Sequence, residues 1–353
     1  MSSISLVMIV RNEERCLRRC LDSAAPYMDE IVIVDTGSTD ATKQIAREYG
    51  AKLFDFEWAQ DFSAARNYAL EQSTSGWNLI LDADEWIEQF DLLSVQGFLQ
   101  KQQTGRIERI SETDIDGERS ETRDFITRLI PKGIKYVGRI HEQVDTNLPR
   151  VNLPIIVKHD GYIGVSKSGR NIPLLLLEIE DHPDDPYFHY QIAKEYKGIH
   201  QVKESQYHFE KAYNSLTGYE RYAPNVVVDY IQLLMNLKDY NKILELISQP
   251  YVWSDHFPDF HFTCGVFYLD LILSNPEKYL SYLSQIEACY RRCLIIGEAA
   301  IYDSVIGVGS FAAWYNLGNY YEVQGQLVQA IQCYKESASM GFNKAIQRLK
   351  ALS

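Results

Sequence analysis

Four short apolar runs, separated by helix-patterned stretches, fill the first 84 residues and restrict the fold more than any other feature. Residues 4–10 form one run, stopped by Arg11-Asn12. Residues 13–25 then read as a helix with acids in its first turn and Pro26 beyond its end. Residues 30–34 are a second run, closing on Asp35-Thr36-Gly37-Ser38. Thr39 or Asp40 caps the next helix, which Gly50 ends. Residues 51–56 make a third strand, Asp61-Phe62-Ser63 opens a helix through Glu71, and residues 78–81 make the fourth strand. This order predicts a parallel sheet with helices on both faces.

Such a sheet gathers its chemistry at the edge where the strands end. The loops after the first, second and fourth strands carry Asn12, Asp35 and the triplet Asp82-Ala83-Asp84, and the helix opening at Asp61 presents Arg66 and Asn67 nearby. Side chains at i and i+2 of a strand point the same way, so both carboxylates of the triplet can face one point. Mg²⁺ takes one or two carboxylates together with substrate phosphates. Taken alone, the triplet also reads as a solvated turn with helix-capping acids. No Gly-x-Gly-x-x-Gly follows the first strand and no Gly-x-x-x-x-Gly-Lys-Ser/Thr occurs, so dinucleotide-binding and P-loop readings lose support.

Bulk properties narrow the partners. A chain of 353 residues is long enough for two domains with their own cores. A net charge of −13 argues against non-specific binding to nucleic acid or anionic membrane. The six cysteines include the i,i+4 pairs Cys16/Cys20 and Cys289/Cys293, a spacing that suits packing on a helix face rather than a disulfide framework. Residues 4–10 are too short for a secretory signal, and no apolar run reaches the roughly 20 residues needed to span a bilayer. A soluble, cytoplasmic protein without a transmembrane segment is expected.

The segments Val7-Met8-Ile9-Val10-Arg11-Asn12-Glu13-Glu14, Ile33-Val34-Asp35-Thr36-Gly37-Ser38-Thr39-Asp40, Asp61-Phe62-Ser63-Ala64-Ala65-Arg66-Asn67 and Leu81-Asp82-Ala83-Asp84-Glu85 resemble, in order and spacing, the motifs of family 2 glycosyltransferases. The resemblance implies an α/β GT-A fold (Rossmann-like, mostly parallel sheet), a UDP-sugar donor, Mg²⁺ or Mn²⁺ as cofactor, and inversion at the anomeric carbon. It places one or both of Asp82 and Asp84 on the metal that bridges the donor phosphates. It puts Asp35 on the nucleotide, although many members have two adjacent acids where this chain has Asp35-Thr36. The same residue type also serves as an Asx-turn anchor. Arg66 and Asn67 are expected against the nucleotide or diphosphate; the alternative for Arg66 is an exposed pair with Asp61 or Glu71, and for Asn67 a structural role near the helix start.

Downstream, Gly138-Arg139-Ile140-His141-Glu142 resembles a Gly-x-x-His-Glu motif of a subset of these enzymes. Glu142 is the candidate general base that deprotonates the acceptor, with a buried ion pair, such as one to Arg139, as the structural alternative. His159, in His159-Asp160-Gly161-Tyr162, is the candidate for completing the metal shell, against a hydrogen-bonded core histidine. Lys167 and Arg170, in Ser166-Lys167-Ser168-Gly169-Arg170-Asn171, form a basic segment able to close over the diphosphate, or a charged linker.

After Pro173 strand-like runs disappear and Tyr and Leu recur at helical spacing. Trp314-Tyr315-Asn316-Leu317-Gly318-Asn319-Tyr320-Tyr321 fits the tetratricopeptide signature, continued by Gly325, Ala330 and Tyr334. A looser copy lies in Ala193, Tyr196, Ser205, Phe209 and Ala212. The expected organisation is a GT-A domain over residues 1–172 and an all-α, tetratricopeptide-like repeat domain over residues 173–353. Such repeats offer a concave surface for an extended peptide, and also for a homodimer. The two domains together resemble the S-glycosyltransferases that modify cysteine in glycocin-type bacteriocin precursors, which implies a peptide or protein acceptor. Two other functions compete: transfer to a cell-surface glycan or lipid-linked sugar, and a helical-repeat scaffold with an inactive transferase domain.

Overall fold

The first strand shows how one apolar run serves two cores. In β1 (Ile4–Val10) every residue but Ile9 is buried. Alternation sends Leu6, Met8 and Val10 to one side of the sheet, against Leu17, Cys20 and Leu21 of α1 (Leu17–Ala24). Val7 goes to the other side, against Ala69 and Leu70 of α3 (Phe62–Gln72). A strand covered on both faces reads as a continuous hydrophobic run. The computed structural model describes residues 3–115, 118–160, 167–299 and 301–352, which divide into the units Met1–Pro183 and Asp184–Ser353.

In the first unit β1 pairs in parallel with β2 (Glu30–Asp35) and β4 (Trp77–Ile80), and β2 pairs in parallel with β3 (Lys52–Asp55). The helix α2 (Thr42–Glu48) joins β2 to β3. Asp61 caps α3 by accepting from Ala64 N–H, as its position predicts. The helix expected over residues 13–25 is α1, which starts only at Leu17 and passes after Ala24 into a 3₁₀ turn, Ala25–Tyr27, that holds Pro26.

Beyond β4 the sheet becomes mixed. Its order is β3-β2-β1-β4-β7-β6-β10-β5, with β5 (Glu85–Phe90), β6 (Thr104–Ile115), β7 (Glu118–Pro131) and β10 (Arg150–His159). β7 runs antiparallel to both β4 and β6, β10 parallel to β6, and β5 antiparallel to β10. Charge pairs lie across the β6–β7 ribbon: Arg109 holds Asp124 at 2.6 Å and Arg123 holds Glu108 at 2.7 Å. A short ribbon of β8 (Lys135–Val137) and β9 (Gln143–Asp145) brackets residues 138–142. The helices α4 (Leu92–Phe98) and α5 (Ser168–Asp181) complete the unit. α5 runs through the boundary expected at 172/173 and carries Pro173 inside it. Its buried Glu178 accepts from Arg139 N–H, which buttresses the 138–142 loop.

The second unit is a series of helix hairpins. Its helices are α6 (Pro186–Gly198), α7 (Val202–Ser215), α8 (Ala223–Leu237), α9 (Tyr240–Ile247), α10 (Pro258–Ser274), the four-residue α11 (Pro276–Tyr279), α12 (Leu283–Ile296), α13 (Phe311–Val323), α14 (Leu327–Ser339) and α15 (Asn343–Leu352). The tetratricopeptide signature falls on α13 and α14 for a physical reason. A Cβ on Gly318 would lie 2.5 Å from the Tyr334 ring, so only glycine lets the two helices meet there. Gly325, at φ +74°, makes the turn between them. The same contact recurs between Gly265 of α10 and Tyr290 of α12, where a Cβ would lie 2.9 Å from the ring. In the α6–α7 hairpin, Ser205 Oγ donates to Ala193 O at 2.9 Å beside the buried Phe209 and Ala212.

All six cysteines are free thiols, and all but Cys16 are buried. Burial pushes the Cys289 thiol up to about 12 and the Cys333 thiol up to about 11. Among the described residues no helix is long and apolar enough to cross a membrane.

Candidate active site

The loops after β1 and β2 are pinned to each other. Asn12, left-handed at φ +57°, donates its N–H to Ser38 Oγ at 2.9 Å and accepts from Thr39 N–H at 2.8 Å. Asp35 Oδ1 accepts from Gly37 N–H at 3.0 Å and Ser38 N–H at 2.8 Å. The Asx turn weighed for this residue is therefore formed. Its other oxygen, Oδ2, is buried and has no hydrogen-bond partner. An orphan acceptor of this kind is uncommon in a folded chain, and it leaves Asp35 able to accept one further N–H or O–H.

The two acids after β4 have different surroundings. Asp82 is half-buried, and each of its oxygens is 2.7 Å from an arginine: Oδ1 from Arg66 Nη2, Oδ2 from Arg128 Nη2. Burial alone would raise its carboxyl, but Arg128 and then Arg66 outweigh it and hold the group well below the usual carboxylate range. Arg66 is buried rather than paired with Asp61 or Glu71, and its Nε donates to Glu142. Its Nη1 is buried without a partner. Arg128 also reaches Glu85 Oε1 at 3.4 Å, and Arg109 reaches the same oxygen at 3.3 Å. Glu85, fully buried at the start of β5, accepts from Asp82 N–H at 2.9 Å and so shapes the turn.

Asp84 faces a different set. It accepts from Lys167 Nζ at 3.1 Å and lies 3.5 Å from His159 Nε2. Burial opposes ionisation here too, but the contact with His159 prevails and the Asp84 carboxyl is lowered. His159 is buried, and its Nδ1 lies 3.1 Å from Ser111 Oγ, its register partner on β6. A histidine fixed through one nitrogen with the other beside a carboxylate is the usual arrangement around a bound cation. Among the described residues no group of three or more His, Cys, Asp or Glu side chains converges as a metal site. Asp84 with His159 nevertheless suits a Mg²⁺ or Mn²⁺ ion that takes its remaining ligands from water and phosphate. Asp82, expected on the same ion, is turned to the two arginines instead. Burial, and then the Asp84 carboxylate, push the nearby Glu13 carboxyl up to about 7.

The expected base stands in an unexpected pair. Glu142 ends a loop that needs left-handed backbone at Gly138 (φ +94°) and His141 (φ +52°), and its carboxylate meets Arg66. Arg139, the alternative partner, binds Asp181 at 2.7 Å. Asn67 does not fit the donor role expected for it. Its amide bonds the backbone of Tyr136 on both sides, donating at 2.9 Å and accepting at 2.8 Å, which clamps α3 to β8. Arg170 lies over the Phe62 ring, 4.9 Å from its centroid, and donates to Asn171. Gly161, Tyr162 and Ser166, quoted with the late histidine and the basic segment, lie outside the described residues. Arg128 and Arg109 were not singled out in the sequence. A charge inside the apolar run Phe125-Ile126-Thr127-Arg128-Leu129-Ile130 was the available signal, since a buried charge needs a partner.

The model of glycosyl transferase family 2 matches residues 5–146. A "TPR repeat-containing protein" of Synechococcus elongatus is 54% identical over 85 residues, 24% of this chain and 21% of that protein. The "SPbeta prophage-derived glycosyltransferase SunS" of Bacillus subtilis is 26% identical over 257 residues, 67% of this chain and 60% of that protein. The "Glycosyltransferase GlyA" of Streptococcus pneumoniae is 38% identical over 93 residues, 24% of this chain and 13% of that protein. This chain thus spans less than two thirds of each relative's length. The family match runs from β1 past β9 and takes in Asp35, Arg66, Asp82, Asp84 and Glu142, so the first unit of this chain carries a glycosyl transferase family 2 domain.

Proposed function

We propose that the chain is a divalent-cation-dependent, inverting glycosyltransferase that moves a hexose from a UDP-sugar to a peptide or protein acceptor. The observation that carries this reading is the convergence of Asp84, His159 and Lys167 at the sheet edge, with Asp84 inside the matched segment. Asp84 and His159 would hold the cation, which when bound neutralises charge on the departing nucleoside diphosphate. Lys167 adds a mobile positive charge at the same point. Asp35 offers its unpartnered oxygen to an N–H or hydroxyl of the nucleotide.

Glu142 is the base. The acceptor's oxygen or sulfur attacks the anomeric carbon, the bond from that carbon to the phosphate oxygen breaks, and the acceptor's proton passes to the Glu142 carboxylate. Arg66 fixes that carboxylate's position. The helical hairpins of the second unit support a polypeptide acceptor, because stacked hairpins present extended surfaces. The resemblance to cysteine-modifying enzymes makes a peptide thiol the first acceptor to test.

Thermal melting against a panel of nucleotides and nucleotide sugars, with and without Mn²⁺, tests the donor site. A ligand at 100 times its Kd adds about 2.7 kcal/mol to the folded state. The expected result is a Mn²⁺-dependent rise with UDP and with one UDP-sugar, absent in Asp84→Ala. No rise with any nucleotide would leave the chain as a helical-repeat scaffold with an inactive transferase domain.

A further inference from the structure

The acids of the Asp82-x-Asp84 pair are not equivalent. Both oxygens of Asp82 are taken by guanidinium groups, each at 2.7 Å. Each of those arginines holds a second acid, Arg66 with Glu142 and Arg128 with Glu85. Asp82 is therefore the centre of a bracket Glu142–Arg66–Asp82–Arg128–Glu85, drawn from the β8–β9 loop, α3, the turn after β4, β7 and β5. Arg66 and Arg128 are both buried. If Asp82 turned away to bind a cation, two buried guanidinium groups would lose a counter-ion beside an incoming positive charge. Asp84 carries no such cost. Its partners are a half-buried lysine on a flexible stem and a histidine whose nitrogen is itself a metal ligand type.

We propose that Asp82 serves with Arg128 as the brace that holds Arg66, and through it Glu142, in place, a division of work that leaves the cation of the donor site to Asp84 and His159. The inference rests on the donor-site reading above and adds Arg128 to it as a positioning residue. Arg128 bonds two acids through one nitrogen, Nη2, with Asp82 Oδ2 at 2.7 Å and Glu85 Oε1 at 3.4 Å. A lysine at this position supplies the charge on a point-like head, without the planar guanidinium that carries Nη2 to both acids.

The test uses the full chain with UDP and Mn²⁺. Free Mn²⁺ is read by electron paramagnetic resonance, and donor hydrolysis gives kcat and KM. Asp84→Asn should weaken Mn²⁺ binding on the order of 100-fold, whereas Asp82→Asn should hold it within about threefold. Arg128→Met should lower kcat by about 30-fold with donor KM nearly unchanged, Arg128→Lys should recover part of that loss, and Asp82→Asn/Arg128→Met should be no worse than the worse single variant. If Asp82→Asn weakens Mn²⁺ as much as Asp84→Asn, Asp82 is a ligand and the division is overturned. It is overturned equally if either Arg128 variant tightens Mn²⁺ binding, as freeing a ligand would, or if Arg128→Met leaves kcat unchanged. Arg128→Lys keeps a buried cation opposite Asp82 and carries the test should Asp82→Asn fail to fold. A wild-type chain that binds neither UDP nor Mn²⁺ is a separate outcome, and it removes the donor reading together with this one.

Discussion

The two units bury opposite chemistries. The first buries Asp35, Arg66, Glu85, Arg128, His159 and Glu178, three of which, Arg66, Glu85 and Arg128, belong to one connected set of ion pairs. The interior of the second is mostly aromatic and aliphatic, and Gly318–Tyr334 and Gly265–Tyr290 solve the same helix-packing problem twice. Buried ion pairs are poor value for stability, since desolvation offsets most of their attraction. A domain that keeps several of them at one sheet edge is arranged for chemistry there. A domain that repeats one steric solution is arranged for stacking.

That contrast makes separate losses the expected result of mutation. The largest is Glu142→Gln. It keeps the shape of the side chain and removes the base, so transfer should fall by about 10³-fold, roughly 4 kcal/mol of barrier. The UDP-dependent melting shift should survive. Full transfer activity in this variant would take Glu142 out of the mechanism and leave the Arg66 pair as packing only. Gly318→Ala should act on the second unit instead. Its new methyl would meet the Tyr334 ring at 2.5 Å, an overpacking worth about 1–3 kcal/mol. The melting temperature should drop while Mn²⁺–UDP binding stays intact. Loss of UDP binding in Gly318→Ala would mean that the units are not energetically separable.

How far the sequence carried this picture differs between the same two regions. β1 and β2 were legible because each holds a continuous apolar run closed by turn residues, and β3 and β4, which contain Lys52 and Asn78, because helix stops and turn residues bound them. Asp35, Asp82 and Asp84 followed from their places at the strand ends. The β6–β7 ribbon was not legible. Arg106, Glu108, Arg109, Arg123 and Asp124 break its apolar alternation, and their pairing across strands is what makes them compatible with a sheet. Missing that ribbon meant missing Arg128, and with it the reason Asp82 does not resemble Asp84. Asn67 misled for a related reason: its clamp on Tyr136 is a contact between distant segments, which no local pattern encodes. In the second unit Gly318, Gly325, Ala330 and Tyr334 were readable because a repeat signature is a list of steric requirements.

The smallest expected effect tests whether the second unit is as free of consequential charge as its aromatic interior suggests. His189 and His208 face each other from α6 and α7, with their Nδ1 atoms 2.9 Å apart and Tyr196 stacked on His208. One ring nitrogen donates and the other accepts, so a second proton destroys the bond. Burial, and then His189, push His208 down to about 4. Between about pH 6.5 and 4 the unfolded chain therefore binds a proton that the folded chain refuses. The stability tied to neutral His208 is complete above about pH 6.5 and is lost as pH falls toward 4. The ring is only partly buried, so about 1 kcal/mol at pH 5 is a fair scale after solvent screening. Melting curves of the wild type and His208→Gln should therefore converge or cross as pH drops from 7.5 to 4.5, since the variant has no such proton to refuse. Carboxylates shift both curves alike, so the difference between them is the quantity to read. Curves that stay parallel throughout would show that the histidine pair titrates as it does in water, and that the hairpin is held by its rings alone.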